Sequence, residues 1–139
     1  EIAQAIIEKK AQYCRFADSQ KWDLFDKVVL PDFRFEFIDN GVVPKEAVFP
    51  LFQSREACVA HFSKLLAVKQ AHHLVGSPEL EQVSSDEVKA VFPIHYYIAD
   101  KGPIPKPESR ITGGAHYHEV FKRVGDEWFL ADLKVVHTF

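Results

Sequence analysis

Two adjacent histidines, His72 and His73, are the residues of this 139-residue chain best suited to move protons near neutral pH. The stretch around them reads as a β-strand, so the two rings point to opposite faces and only one can enter a cavity. An imidazole has an ordinary pKa of about 6.5, which makes a cavity-facing one a ready general base. The bland alternative is a pair of edge histidines, one satisfied by a backbone carbonyl. Asp18 follows Ala17 at the end of an N-terminal helical pattern. There it either caps a helix or orients a histidine, fixing its tautomer and stabilising the imidazolium. Tyr13 lies earlier in the same pattern. It is either a core tyrosine bonded to a carbonyl or a hydroxyl that donates to a substrate oxygen turning negative.

A second cluster is His116-Tyr117-His118-Glu119. On a strand His116 and His118 share one face, and Tyr117 and Glu119 share the other. A His-x-His pair can bind zinc or iron when a third ligand is present. No cysteine or acidic spacing supplies one, so a solvated or interface-lining sheet face is the expectation and no metal is assigned. In the last strand Phe129, Ala131, Leu133, Val135 and His137 are expected on one face, and Trp128, Leu130, Asp132 and Lys134 on the other. His137 thereby continues an apolar row and is placed to line a pocket. The chain has no glycine-rich phosphate loop, no Cys-x-x-Cys and no Gly-x-Ser-x-Gly, which argues against nucleotide-driven chemistry and serine hydrolysis. What remains is proton transfer by His, Asp and Tyr in a dry cavity.

The elements that must hold these groups follow from periodicity. Ile2, Ile6, Tyr13, Phe16 and Ala17 recur at helical spacing, predicting a helix over 2–17 that breaks at Asp18-Ser19-Gln20. Residues 21–29 read as a second short helix presenting Trp22, Phe25 and Val29, ended by Pro31. Residues 33–38 alternate as a half-buried strand, and Asp39-Asn40-Gly41 is a turn. Residues 42–52, with Pro44 and Pro50, form a loop or lid. Ser54 caps a third helix running to about Lys69 and burying Val59, Phe62, Leu65 and Leu66. Strands follow at 72–75, 79–83, 88–99, 114–124 and 127–138, with a proline-rich loop at 101–107 and a hairpin turn at Gly125-Asp126. Helices grouped against one curved antiparallel sheet make an α+β, cone-shaped single domain over 1–139. A bent sheet wrapped by helices leaves a hollow, which suits a small molecule.

Composition agrees with an ordinary globular chain: 47% hydrophobic and 27% charged residues. Twelve Phe, four Tyr and two Trp can line an apolar pocket or fill an aromatic core. The net charge of -3 and the lack of a basic block make nucleic acid and anionic membranes poor partners. No apolar run is long enough to span a membrane. The first residues mix acids and bases with apolar side chains, unlike a secretory signal. Cys14 and Cys58 read as buried thiols of a reducing compartment, and the expected location is the cytoplasm.

Three stretches together carry a resemblance. Residues 10–23 hold Tyr13, then Asp18 five positions on, then Trp22-Asp23. Residues 71–80 read Ala-His-His-Leu-Val-Gly-Ser-Pro-Glu-Leu. Residues 113–119 read Gly-Gly-Ala-His-Tyr-His-Glu, followed by Gly125-Asp126-Glu127-Trp128. In this order they resemble the SnoaL-like family of the nuclear-transport-factor-2-like superfamily, which includes scytalone dehydratase and bile-acid 7α-dehydratase. The resemblance implies a cone-shaped fold in a homo-oligomer, a dimer or trimer. It implies that Asp18 and His73 form a catalytic pair and that Tyr13 is a pocket tyrosine. It places Tyr96 at an acidic pocket position of the bile-acid enzyme. His95 can supply a second histidine only if a bulge near Pro93 shifts the register. His137 falls where the bile-acid enzyme has an arginine, which weakens a carboxylate or thioester contact there. Tyr117 falls at an asparagine of scytalone dehydratase, and Phe37 and Ala17 replace two of its pocket tyrosines, which argues against its substrate.

The resemblance thus implies a lyase, a dehydratase without metal or organic cofactor, acting on a hydrophobic polycyclic or polyketide-like molecule. Asp18, His73, Tyr13 and His137 are its expected catalytic residues, and Tyr96, Tyr117, Phe37 and His95 its expected substrate contacts. An isomerase or cyclase of secondary metabolism would use the same acid–base set. A non-catalytic ligand-binding domain would lack the Asp–His contact, and its cone would be filled by Phe side chains.

Overall fold

The structure, a computed structural model, describes residues 1–139. Helix α1 (Ile2–Asp18) turns Ile6, Lys10, Tyr13, Cys14, Phe16 and Ala17 inward. Its end is fixed by a Schellman closure. Gln20 takes a positive φ of 56°, its N–H donates to Ala17 O, and the Lys21 N–H donates to Phe16 O. The Gln20 side chain also donates to the carbonyls of Leu66 and Lys69, so this corner reaches the segment that leads toward His73.

The next segment departs from the sequence expectation. Trp22–Lys27 is a 3₁₀ turn, not an α-helix to residue 29, and strand β1 (Val29–Phe37) has already begun when Pro31 is reached. Proline is tolerated there because β1 is an edge strand and Pro31 lies in the irregular gap between the pairs Val29–Leu130 and Arg34–Asp132. Residues 38–52 hold one short 3₁₀ turn, Lys45–Ala47. They return to β1 where Phe35 and Phe52 exchange backbone hydrogen bonds, both at 2.9 Å. Helix α2 (Arg55–Leu66) starts at Ser54, whose hydroxyl accepts from the Ala57 N–H, the expected cap.

Strands β2 (Lys69–Val75), β3 (Glu79–Ser84), β4 (Glu87–Asp100), β5 (Ile111–Val124) and β6 (Glu127–His137) complete the chain. The sheet order is β1-β6-β5-β4-β2, with β3 also paired to β4. All pairs are antiparallel except β1 with β6. A parallel neighbour needs a long connection, and here helix α2 and four strands lie between the two. The architecture is α+β, with helices against a large curved, unclosed mixed sheet.

Strand β6 also corrects the expected alternation. The β5–β6 register shifts between Val120 and Phe121, which pair with Asp132 and Leu130 and leave Ala131 bulged out. A bulge switches the inward face, so Trp128 and Leu130 are buried together with Leu133, Val135 and His137. The core is one cluster of 23 residues, among them Phe33, Phe121 and Leu133 at 0% exposure. Cys14 and Cys58 are buried free thiols, raised by burial to about 11 and about 12. No helix is long and apolar enough to cross a membrane.

One feature inside this core has no counterpart in the sequence expectations. The side chains of Lys10 and Glu119 are both 0% exposed and meet at 2.5 Å. The ammonium also lies against the rings of Tyr13 and Tyr117, at 4.6 and 4.4 Å from their centroids. Burial raises the Glu119 carboxyl, and Lys10 pulls it back down. Desolvating two charges costs as much as their attraction returns, but stranding one of them costs more. Lys10→Met should therefore destabilise the fold by about 3–5 kcal/mol, and Lys10→Met with Glu119→Leu should recover most of that loss, both read from urea midpoints.

Candidate active site

Asp18 is the last residue of α1, at the negative end of the helix dipole, a poor place for a carboxylate. Strand β2 supplies the compensation. Asp18 Oδ2 accepts the backbone N–H of His73 at 2.8 Å, and Oδ1 meets His73 Nδ1 at 2.6 Å. Both oxygens are spent across the fold, so Asp18 is not a helix cap. An ionised carboxylate can only accept, so Nδ1 carries the proton and Nε2 keeps the lone pair. His72, the other ring of the pair, points away: its side chain is 69% exposed and lies 3.8 Å from Asp18.

His73 faces a hollow of about 280 Å³ between the sheet and the helices, with Tyr13, Phe37, Tyr96, Tyr117 and His137 also in its wall. That volume lies at the lower end of small-molecule pockets. Trp22, Phe35, Phe49, Phe62 and Leu65 add apolar surface, and Val43, Ala47 and Phe49 come from the 38–52 loop. The loop thus covers one side of the hollow.

Tyr96 is the cross-strand partner of His73, with ring centroids 6.1 Å apart. Its hydroxyl is hydrogen-bonded to His137 Nε2 at 2.9 Å. Glycine at 113 makes this possible, because a Cβ there would sit 2.3 Å from the Tyr96 hydroxyl oxygen. Phe37 stacks on the His137 ring at 5.5 Å and 18°, and His137 Nδ1 is buried without a partner. Burial pushes His137 below its ordinary value, since a charged ring there would be poorly solvated. Burial pushes Tyr96 up and Tyr13 and Tyr117 well up. The three phenols therefore keep their protons near neutral pH and can act as donors. The arrangement offers one oriented base, a linked Tyr–His pair beside it and further phenols, all in an apolar enclosure. Such a set can take a proton from carbon and steady the resulting negative oxygen.

The SnoaL-like domain family model matches residues 1–134. The chain belongs to the SnoaL-like family. Among curated SnoaL-like relatives, "Probable cyclase FGR4" of Gibberella zeae is 39% identical over 141 residues, covering 100% of this chain and 93% of that one. Two solved structures share the fold. The Kfla4162 protein from Kribbella flavida has a TM-score of 0.80 at 19% identity, over 98% of this chain and 90% of that one. Hexachlorocyclohexane dehydrochlorinase LinA-type3 from Novosphingobium barchaimii has 0.77 at 14% identity, over 98% and 86%.

Of the expected site residues, Asp18, His73, Tyr13, His137, Tyr96, Tyr117 and Phe37 come together around this SnoaL-like hollow. His95 does not. The β4–β5 register runs unbroken from Glu87 to Ile98, so no bulge at Pro93 turns it inward. It lies half-buried on the outer face, bonded to Thr112 Oγ1 at 2.9 Å. His116 and His118 are exposed on that face too, and no cluster of three metal-ligating side chains exists. Sequence reasoning missed Lys69, which lines the hollow. Running the third helix on to Lys69 hid it, because α2 ends at Leu66 and Lys69 opens β2. The available signal was the alternation of Lys69, Ala71 and His73 on one strand face.

The lowered pKa of His137 sets a sign. A histidine harder to protonate in the folded chain contributes its full stability above about 6.5, and that contribution is lost as pH falls through the folded value. The His137 ring signals should titrate below 6.5 in an NMR pH series. His137→Gln should flatten the decline in urea stability as pH falls below about 6.5.

Proposed function

We propose that the protein is a lyase-type enzyme that eliminates water from an apolar, ring-bearing small molecule by acid–base catalysis. One observation carries this reading: an imidazole locked by a carboxylate, with its free nitrogen left for the hollow. His73 Nε2 takes a proton from the carbon α to a carbonyl. Asp18 holds the imidazolium in place. Tyr96, steadied by His137, donates to the carbonyl oxygen as it becomes an enolate. Low-dielectric surroundings strengthen such a hydrogen bond. The bond from the β carbon to its hydroxyl then breaks, the C=C bond forms, and the hydroxyl leaves as water with the proton held on His73. Tyr117 or His137 can assist that departure. The catalyst returns to its starting state, and each transfer is made by this chain's own side chains.

A second reading has its own support, the 39% identity to a relative named a cyclase. Here the same enolate carbon attacks a second carbonyl of the molecule, a C–C bond closes a ring, and the proton returns to the new alkoxide. Both reactions begin with His73 removing a proton, so they differ only in what the enolate does next.

The test uses aromatic-fused β-hydroxy ketones that carry a second ketone, followed by chromatography with mass spectrometry: loss of one water marks elimination, and a new peak of unchanged mass marks ring closure. His73→Ala should lower the rate by about 10²–10⁴-fold, and Asp18→Asn should also be strongly impaired through the wrong tautomer. Tyr96→Phe should cost about 10²-fold. A His73→Ala enzyme that is properly folded and nearly as fast as wild type overturns the assignment.

A further inference from the structure

We infer that the hollow is built for a substrate that carries a carboxylate, held by Lys69 at the end away from His73. This rests on the hollow being a substrate site, not on the reaction assigned to it. Eighteen of the twenty-one lining residues are hydrophobic, and the other three are Lys69, His73 and His137. Every polar side chain of the wall apart from the phenols is therefore basic. No carboxylate is among the lining side chains, although the chain has 20 acidic against 17 basic residues. Two carboxylates touch the lining from behind: Asp18, with both oxygens engaged by His73, and Asp100, which meets the Lys69 ammonium. Burial disfavours the charged form of His137, so the positive charge of the wall is the Lys69 ammonium, and low-dielectric walls strengthen its pull on an anion.

Geometry separates the anion from the reacting carbon. Lys69, Ala71 and His73 share one face of β2, which puts Lys69 about 13 Å from His73 along the strand. A fused-ring body spans most of that distance, so its acid can meet Lys69 while its acidic C–H meets His73. The Lys69 ammonium meets Asp100 at 2.5 Å, with side chains 30% and 52% exposed. So open an ion pair is weak, and the ammonium is free to exchange Asp100 for an incoming carboxylate. A second lysine stands at the same rim. Lys101 Nζ donates to Gln20 Oε1 at 3.3 Å, and Gln20 Nε2 donates to Lys69 O at 3.2 Å. Lys101 thus adds a second ammonium beside the Gln20 corner that Lys69 touches. A neutral amide or ester of the same shape gains nothing from it.

Isothermal titration calorimetry at low salt can compare 2-naphthoate with its carboxamide and its methyl ester. Wild type should bind the acid about tenfold more tightly than either neutral probe. Lys69→Gln should bring the three affinities within about twofold, and Asp100→Asn, which frees the ammonium, should widen the preference. His73→Ala should keep it. Equal affinities in wild type, no measurable binding of the acid, or a preference that survives Lys69→Gln would each overturn the inference. No turnover is involved. A protein that prefers the acid but dehydrates nothing overturns the reaction alone, and an active enzyme blind to the acid overturns only the anion site.

Discussion

The bond between Asp18 and His73 joins residues 55 positions apart and is made twice, once to the ring and once to the backbone. Without it α1 would end in a carboxylate facing the negative end of its own dipole, and β2 would present a free N–H near a cavity wall. With it, helix end and strand are held in one register. The backbone bond has a further consequence. It fixes the strand whose ring is being oriented, so one carboxylate positions both the His73 backbone and its imidazole. The Gln20 side chain adds a second tie, reaching the carbonyls of Leu66 and Lys69 from the residue whose left-handed turn ends α1. Corner and strand are therefore coupled at both ends of the Lys69-Ala71-His73 face.

Much of this was legible from residue types and spacing. Tyr13 and Asp18 belong to a helical pattern, and His73 to an alternating one, so their elements followed from periodicity. Their meeting did not, since no local rule brings residue 18 to residue 73. It came from the resemblance, and the distances agree with it. The errors have local physical causes. Pro31 ends helices as a rule, yet an edge strand with a gap in its ladder accommodates it. Alternation along β6 was read as unbroken, and one bulged residue, Ala131, exchanges its faces. The opposite error concerned His95, for which a bulge was considered and none exists. A bulge adds one residue without changing the types around it, so the Leu130-Ala131-Asp132 stretch reads as plain alternation.

Lys10 and Glu119 were illegible for a different reason. A lysine in an amphipathic helix and a glutamate in a strand are each ordinary surface residues by type. Only the tertiary structure shows that Lys10 lies on the stripe that also holds Tyr13 and Cys14, and that Glu119 faces it from β5. The pair puts the Lys10 ammonium behind two tyrosine rings of the cavity wall, with the Glu119 carboxylate against it. Tyr13 and Tyr117 line the hollow and Lys10 does not, so the pair offers no charge to a ligand. One carboxylate oxygen of Glu119 has no partner at all, which marks the pair as a cost that packing elsewhere must offset.

That offset explains how a chain of this size keeps an interior space. Phe33, Phe121, Leu130 and Leu133 fill the body of the core completely, while Phe37, Phe49, Phe62 and Leu65 remain half-buried because one side of each faces the hollow. Closing the hollow would bury more apolar surface, so something must hold it open. The bent sheet, switched at Ala131, sets one wall. Helix α1, tied at Asp18, sets a second, and the stacked rings of Phe37 and His137 brace a third. Each brace includes a group of the candidate site: the Asp18 carboxylate, the imidazole that bonds Tyr96, and the strand that carries Lys69 and His73. The space and the polar groups that face it are thus products of the same contacts, and a substitution that lets the wall collapse would also misplace the His73 imidazole.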